Sequence, residues 1–227
     1  MAQYMKIPPK AIVHAFPNSL HVQEMVYTEP LSCSVHGVER AEVGLGDVVV
    51  VSGCGAIGLG IVAAARLRGP SRLVAVDLND DRLEVARECG ADVVLNPKKD
   101  DVVETVRSMT SGYGCDVYME ASGAPSSVEQ GLQCCRKAAN FLEFSVFTAP
   151  TTVDWTVIGD TKELNIKGGH CSGDRGYATA IDMLRRGLLP TDKIVSHSLG
   201  LGDVVEGIDM VLDGKKSIKV TVDPQLE

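Results

Sequence analysis

The run Val48-Val49-Val50-Val51-Ser52-Gly53-Cys54-Gly55-Ala56-Ile57-Gly58 constrains this chain more than any other stretch. Four consecutive valines suit a strand covered on both faces. Glycines at 53, 55 and 58 follow at once as G-x-G-x-x-G, and Ala56 to Arg68 reads as a helix stopped by Gly69-Pro70. Each glycine has its own physical use. Gly53 permits the tight turn, Gly55 lets the backbone approach a pyrophosphate, and Gly58 brings the helix close to the strand. The phosphates then meet free N–H groups of Gly55, Ala56, Ile57 and Gly58 at the positive end of the helix.

The pattern repeats downstream. Leu73 to Asp77 reads as a strand, and Asn79 or Asp80 caps a helix with Leu83, Ala86 and Cys89 along one stripe. Val93 to Leu95 is a short strand. Asp100 or Asp101 opens a helix carrying Val102, Val103, Val106 and Met109. Val117 to Met119 is a strand, and Pro125 starts a helix above Val128, Leu132 and Cys135. Phe141 to Val146 and Leu164 to Lys167 complete six strands, and Ala178, Ile181, Met183 and Leu184 mark a further helix. Alternation with short joins predicts an α/β fold, a doubly wound six-stranded parallel sheet of the Rossmann kind.

The two ends differ from this centre. Pro8, Pro9, Pro17 and Pro30 break up the start, while the tail reads as strand Ile194–His197, helix Asp203–Asp213 closed by Gly214, and strand Ile218–Val222. Residues 46–188 are therefore expected to form the nucleotide-binding domain. Residues 1–45 and 189–227 are expected to be remnants of a second lobe.

Asp77 ends the second strand, where a carboxylate accepts ribose hydroxyl protons and repels a 2′-phosphate, favouring NAD over NADP. Arg82, one helical turn on, either covers the adenine or pairs with Asp77. Adenosylmethionine-dependent methyltransferases also join a glycine loop to an acidic strand end. The third glycine and the spacing here fit a dinucleotide better.

Composition removes other classes. The 227 residues are 44% hydrophobic and 23% charged, as in an ordinary folded protein, and the net charge of −8 disfavours nucleic acid and acidic membrane surfaces. Val48 to Ala65 is uncharged, yet its four glycines argue against a membrane span. Seven cysteines, with no C-x-x-C, suggest reduced thiols in a cytoplasmic protein.

Several motifs occur in one order: Glu29-Pro30-Leu31, Gly46-Asp47-Val48, the glycine loop, Asp77-Leu78-Asn79, Gly90-Ala91-Asp92, Glu120-Ala121-Ser122-Gly123, Lys162 to Gly168, and Ile194 to His197. Together they resemble the zinc-dependent medium-chain dehydrogenases, within them the polyol branch of sorbitol- and erythritol-like dehydrogenases, with threonine dehydrogenase as a cousin. The resemblance implies hydride transfer between a secondary alcohol or polyol and NAD, with zinc polarising the alcohol oxygen. It implies that Ser145, Val146, Gly169, His170 and Cys171 line the nicotinamide end, while Ser122 and Gly123 end the fourth strand at the edge of the cofactor crevice. It also implies that Glu29 ligates zinc or sits beside it; the alternative is an ordinary helix N-terminal carboxylate.

The family's other zinc ligands, a Cys and a Gly-His-Glu, have no counterpart here, so no catalytic set is complete. The expectation is the NAD-binding part of such an enzyme, inactive alone. The alternative is a non-catalytic NAD-binding or interaction module from a short gene. His170-Cys171 offers a weak metal pair, while His36 and His197 read as packed polar groups. Relatives carry Lys-Gly-Gly where this chain has Lys137-Ala138-Ala139-Asn140, and Asn140 is expected to take any left-handed position there. The family commonly pairs through its last sheet strand, so Leu164 to Lys167 is the expected edge of a homo-oligomer, a dimer or tetramer.

Overall fold

The computed structural model describes residues 2–173 and 175–226. Its elements begin with α1 (Val22–Met25), α2 (Thr28–Ala41), β1 (Val48–Ser52), α3 (Ala56–Arg66), β2 (Arg72–Val76), α4 (Asp80–Glu88) and β3 (Val93–Leu95). They continue with α5 (Val102–Met109), β4 (Cys115–Glu120), α6 (Pro125–Cys134), β5 (Cys135–Glu143), β6 (Asn165–Gly168) and α7 (Gly176–Arg185). The tail adds α8 (Thr191–Ile194), β7 (Val195–Leu199), α9 (Val204–Asp213) and β8 (Lys219–Val222).

Six strands pair in parallel in the order β3-β2-β1-β4-β5-β6. The order changes direction at β1 and β4, which opens a crevice beyond their carboxyl ends. The valine run explains why β1 is central. Val49 and Val51 pack on the side of α2 and α3, while Val50 faces Val102, Val106, Leu132 and Phe141. All three are fully buried, each contributing about 1.5–3 kcal/mol.

The start of the chain is more regular than its prolines suggest. Helix α2 contains Pro30 in its first turn, where the missing N–H breaks no intrahelical bond. Leu31, Val35 and Val38 of α2 join the main core beside β1. The tail forms a separate two-stranded parallel sheet, β7 with β8. In α9, Ile208, Val211 and Leu212 are exposed.

Three local expectations are corrected. Cys135 belongs to β5, not to the preceding helix, because β5 begins there beside Cys115 and shifts register before Val117. The strand expected over Phe141–Val146 ends at Glu143, and its last residues form the loop beyond the sheet. Ala138, not Asn140, takes the left-handed backbone (φ 55°). Asn140 stays in the ladder opposite Val117 and Asn165, and its amide donates to the Ala41 carbonyl at 3.1 Å. The ladder holds Asn140 extended, so the left-handed residue falls two positions earlier, at a cost of roughly 1–2 kcal/mol.

Candidate functional site

The crevice at the carboxyl ends of β1, β2 and β4 is a cleft of about 930 Å³. The glycine loop forms its floor. Gly53 has φ 98°, and a Cβ there would lie 2.6 Å from the Ala121 carbonyl oxygen. A Cβ on Gly58 would strike the Gly53 carbonyl. Gly55 lines the cleft, and a Cβ on it would project into open space. The loop is thus fixed by two glycines that nothing larger can replace, and a third leaves the approach clear.

Gly55 caps α3 without any side-chain hydrogen bond. The first-turn N–H groups of Ala56, Ile57 and Gly58 have no intrahelical acceptor. They present partial positive charge where a pyrophosphate would rest. A dinucleotide fits this cradle.

Asp77 follows β2 and crosses to the loop. Its Oδ2 accepts the Cys54 N–H at 2.7 Å and its Oδ1 accepts the Asn79 N–H at 2.9 Å. The carboxylate lines the cleft with lone pairs left for ribose hydroxyls. Arg82 also lines the cleft, but it does not pair with Asp77. Its Nη2 donates to the Gly214 and Ser217 carbonyls, at 2.7 and 2.9 Å. Two fixed carbonyls on one turn outbid a carboxylate already held by backbone N–H groups.

Beyond β4, Glu120 is fully buried, and no cationic side chain pairs with it among the described residues. It accepts the Ser122 N–H at 2.9 Å, the Gly123 N–H at 3.2 Å and the hydroxyls of Ser122 and Ser145. Gly123 in turn donates to Ser145 Oγ at 3.0 Å and has φ 71°, with Val146 just beyond. So Ser122, Gly123, Ser145 and Val146 form one cluster at the ends of β4 and β5. Gly169, His170 and Cys171 follow β6 and lie outside the cleft wall, as do Ser145 and Val146. Cys171 Sγ and His170 Nε2 lie 2.9 Å apart.

Glu29 lies exposed in the first turn of α2 and accepts the Cys33 thiol at 3.2 Å. Burial, together with that carboxylate, pushes the Cys33 thiol up to about 12. A catalytic zinc needs about three protein ligands. Among the described residues no group of three or more His, Cys, Asp and Glu side chains is placed to hold a metal ion. Neither Glu29 nor the His170-Cys171 pair therefore fits such a site.

Part of the wall carries no local sequence signal. Lys98, Gln130, Asp213 and Lys215 line the cleft. The last two come from a turn far along the chain, which no local pattern assigns to this crevice. Asn79 was readable as a cap, and it does accept the Asp81 and Arg82 N–H groups. Its amide nitrogen also donates to the Lys215 carbonyl at 3.0 Å.

Residues 56–186 match the family described as zinc-binding dehydrogenase. The chain is 43% identical to the erythritol/L-threitol dehydrogenase of Mycolicibacterium smegmatis over 224 residues, covering 99% of this chain and 62% of that protein. Its fold resembles 2R,3R-butanediol dehydrogenase from Bacillus subtilis, with a TM-score of 0.83, 28% identity, and 92% of this chain and 60% of that one covered. It also resembles a short chain alcohol dehydrogenase from Escherichia coli CFT073 complexed with NADH, with a TM-score of 0.80, 26% identity, and coverage of 90% and 60%. The chain thus spans about three fifths of the length of these relatives.

Proposed function

The chain belongs to the zinc-binding dehydrogenase family, and from that premise we propose that it supplies the NAD-binding part of a polyol or alcohol dehydrogenase. The observation that carries this reading is the cleft itself. A glycine cradle opens α3, and an acidic strand end stands across from it. The 43% identity to an erythritol/L-threitol dehydrogenase favours a polyol as the intact enzyme's substrate.

When bound, the cofactor supplies the hydride acceptor. The chain's own residues bind and orient it. Backbone N–H groups from Gly55 to Gly58 hold the pyrophosphate. Asp77 accepts the adenosine ribose hydroxyls and repels a 2′-phosphate, so NAD is preferred to NADP. Ser122, Gly123 and Ser145, held by Glu120, form the platform for the nicotinamide end. Gly169 to Cys171 approach that end from β6. The described residues do not gather the ligands that would hold zinc.

Strand β6 is an edge of the sheet, and Ile166 on it is exposed. An exposed edge invites pairing, which supports a dimer built through β6. No helix among the described residues is long and apolar enough to cross a membrane.

Two assays test the proposal on the 227-residue chain. Titration with NADH should saturate. Incubation with NAD and erythritol, sorbitol or ethanol should give no turnover, zinc added or not. Absence of saturable NADH binding would refute the cofactor role, and turnover would refute the inactivity. Size exclusion tests the dimer, which a strictly monomeric elution would contradict.

A further inference from the structure

The turn between α9 and β8 stands against the cleft although it belongs to the tail. Asp213, Gly214 and Lys215 line the same wall as Asp77 and Asn79. Three side-chain hydrogen bonds, from two residues of the α4 N-terminal region, tie it there. Arg82 Nη2 donates to the Gly214 and Ser217 carbonyls, and Asn79 Nδ2 donates to the Lys215 carbonyl. Gly214 takes the left-handed conformation at φ 63°, which turns its carbonyl back toward Arg82. The Ser217 hydroxyl donates to the Met210 carbonyl at 2.8 Å, so the turn is also braced within its own unit.

We propose that the Asp213–Ser217 turn is a specificity-determining wall of the adenosine subsite, held in place by Arg82 as a positioning residue. This rests on the dinucleotide reading of the cleft and adds a second unit of the chain to it. The position supports the assignment. Asp77 marks the ribose end, and Asn79 touches both Asp77, through its N–H, and the turn, through its side chain. A charged guanidinium bonded to two carbonyls of one turn is stronger than a neutral contact. Removing it frees the turn while leaving the glycine cradle and Asp77 intact. Lys215 then matters separately, because its exposed ammonium, paired with Asp213 at 2.8 Å, stands at the cleft's rim.

Linkage follows from the geometry. A ligand that fills the adenosine end touches the turn, so binding should hold the turn closed, and a closed turn should favour binding. A ligand confined to the nicotinamide end should do neither.

The test uses fragments of the cofactor on the full chain. ADP-ribose, AMP and nicotinamide mononucleotide are titrated calorimetrically against wild type, Arg82→Met and Lys215→Glu. Arg82→Met keeps the aliphatic stem and loses both carbonyl bonds. It should weaken ADP-ribose and AMP about tenfold and leave nicotinamide mononucleotide unchanged. Arg82→Lys should recover part of the loss. Lys215→Glu, on an exposed side chain, keeps the protein readable if Arg82→Met fails to fold, and should weaken the same two ligands. Amide exchange across Gly214–Ser217 should slow with ADP-ribose and not with nicotinamide mononucleotide. Equal weakening of all three fragments, or no weakening of the adenosine pair, would overturn the assignment. Wild type that binds no adenine nucleotide would overturn the dinucleotide reading itself, and the inference with it.

Discussion

Asp77 reaches across from the end of β2 to accept the Cys54 N–H of the glycine loop at 2.7 Å. The residue that would meet the ribose therefore also holds the loop that would meet the pyrophosphate. Asp77→Ala should weaken NADH about tenfold, equivalent to about 1.4 kcal/mol. It should also leave the Cys54 and Asn79 N–H groups unpaired, costing about 1–3 kcal/mol of stability. Calorimetric titration and denaturant unfolding read the two effects. NADH affinity equal to wild type would remove Asp77 from the site.

The glycines should separate by role. Gly58→Ala drives a Cβ into the Gly53 carbonyl, and Gly53→Ala combines a φ of 98° with the Ala121 carbonyl, so both should cost the fold several degrees of melting temperature. Gly55→Ala meets nothing within 4 Å. It should melt within about a degree of wild type, given a change well under 1 kcal/mol, and yet bind NADH poorly. Thermal melts of the three variants decide it. Loss of stability in Gly55→Ala would contradict the open approach.

Glu120 is the buried acceptor for donors from Ser122, Gly123 and Ser145. Glu120→Ala leaves them without it and should destabilise the chain by about 2–5 kcal/mol, the range for a broken buried network. Ser145→Ala removes one donor and should cost about 1 kcal/mol. Urea unfolding compares them, and equal small losses would deny Glu120 its role as the hub.

Thiol chemistry gives a fourth check. Among the seven cysteines only Cys171 is exposed, so a disulfide reagent should label one thiol rapidly in the native chain and the rest after unfolding. Burial pushes the Cys89 and Cys134 thiols from 9.0 up to about 12. Above about pH 9 the unfolded chain loses these protons first, so stability should fall as pH rises from 9 toward 12. Below pH 9 both states keep them and these groups add no slope. Unfolding midpoints from pH 8 to 11 should show the fall, flattened in Cys89→Ala/Cys134→Ala. A midpoint rising through that range would contradict the burial of these thiols.

Much of the sheet was legible because its signals are local. A valine run, a glycine spacing and caps such as Asn79 and Asp101 each act within a few residues. That the sheet is parallel and doubly wound followed from alternation and handedness. The errors lie where distant residues decide. Ala138 took the left-handed backbone because Asn140 is held by Val117, Asn165 and Ala41. Arg82 turned away from Asp77 toward carbonyls that lie more than a hundred residues further on. Helix α2 survived Pro30 because the proline fell in its first turn. The turn at Lys215 joined the cleft through contacts that no local period encodes.

The cofactor cleft is the centre of the account, and competitive titration of the 227-residue chain with NADH and NADPH at one salt concentration tests it most directly. Saturable NADH binding, at least about tenfold tighter than NADPH and lost in Gly55→Ala, is the predicted result, a gap of about 1.4 kcal/mol. No saturable binding, or tighter binding of NADPH, would contradict it.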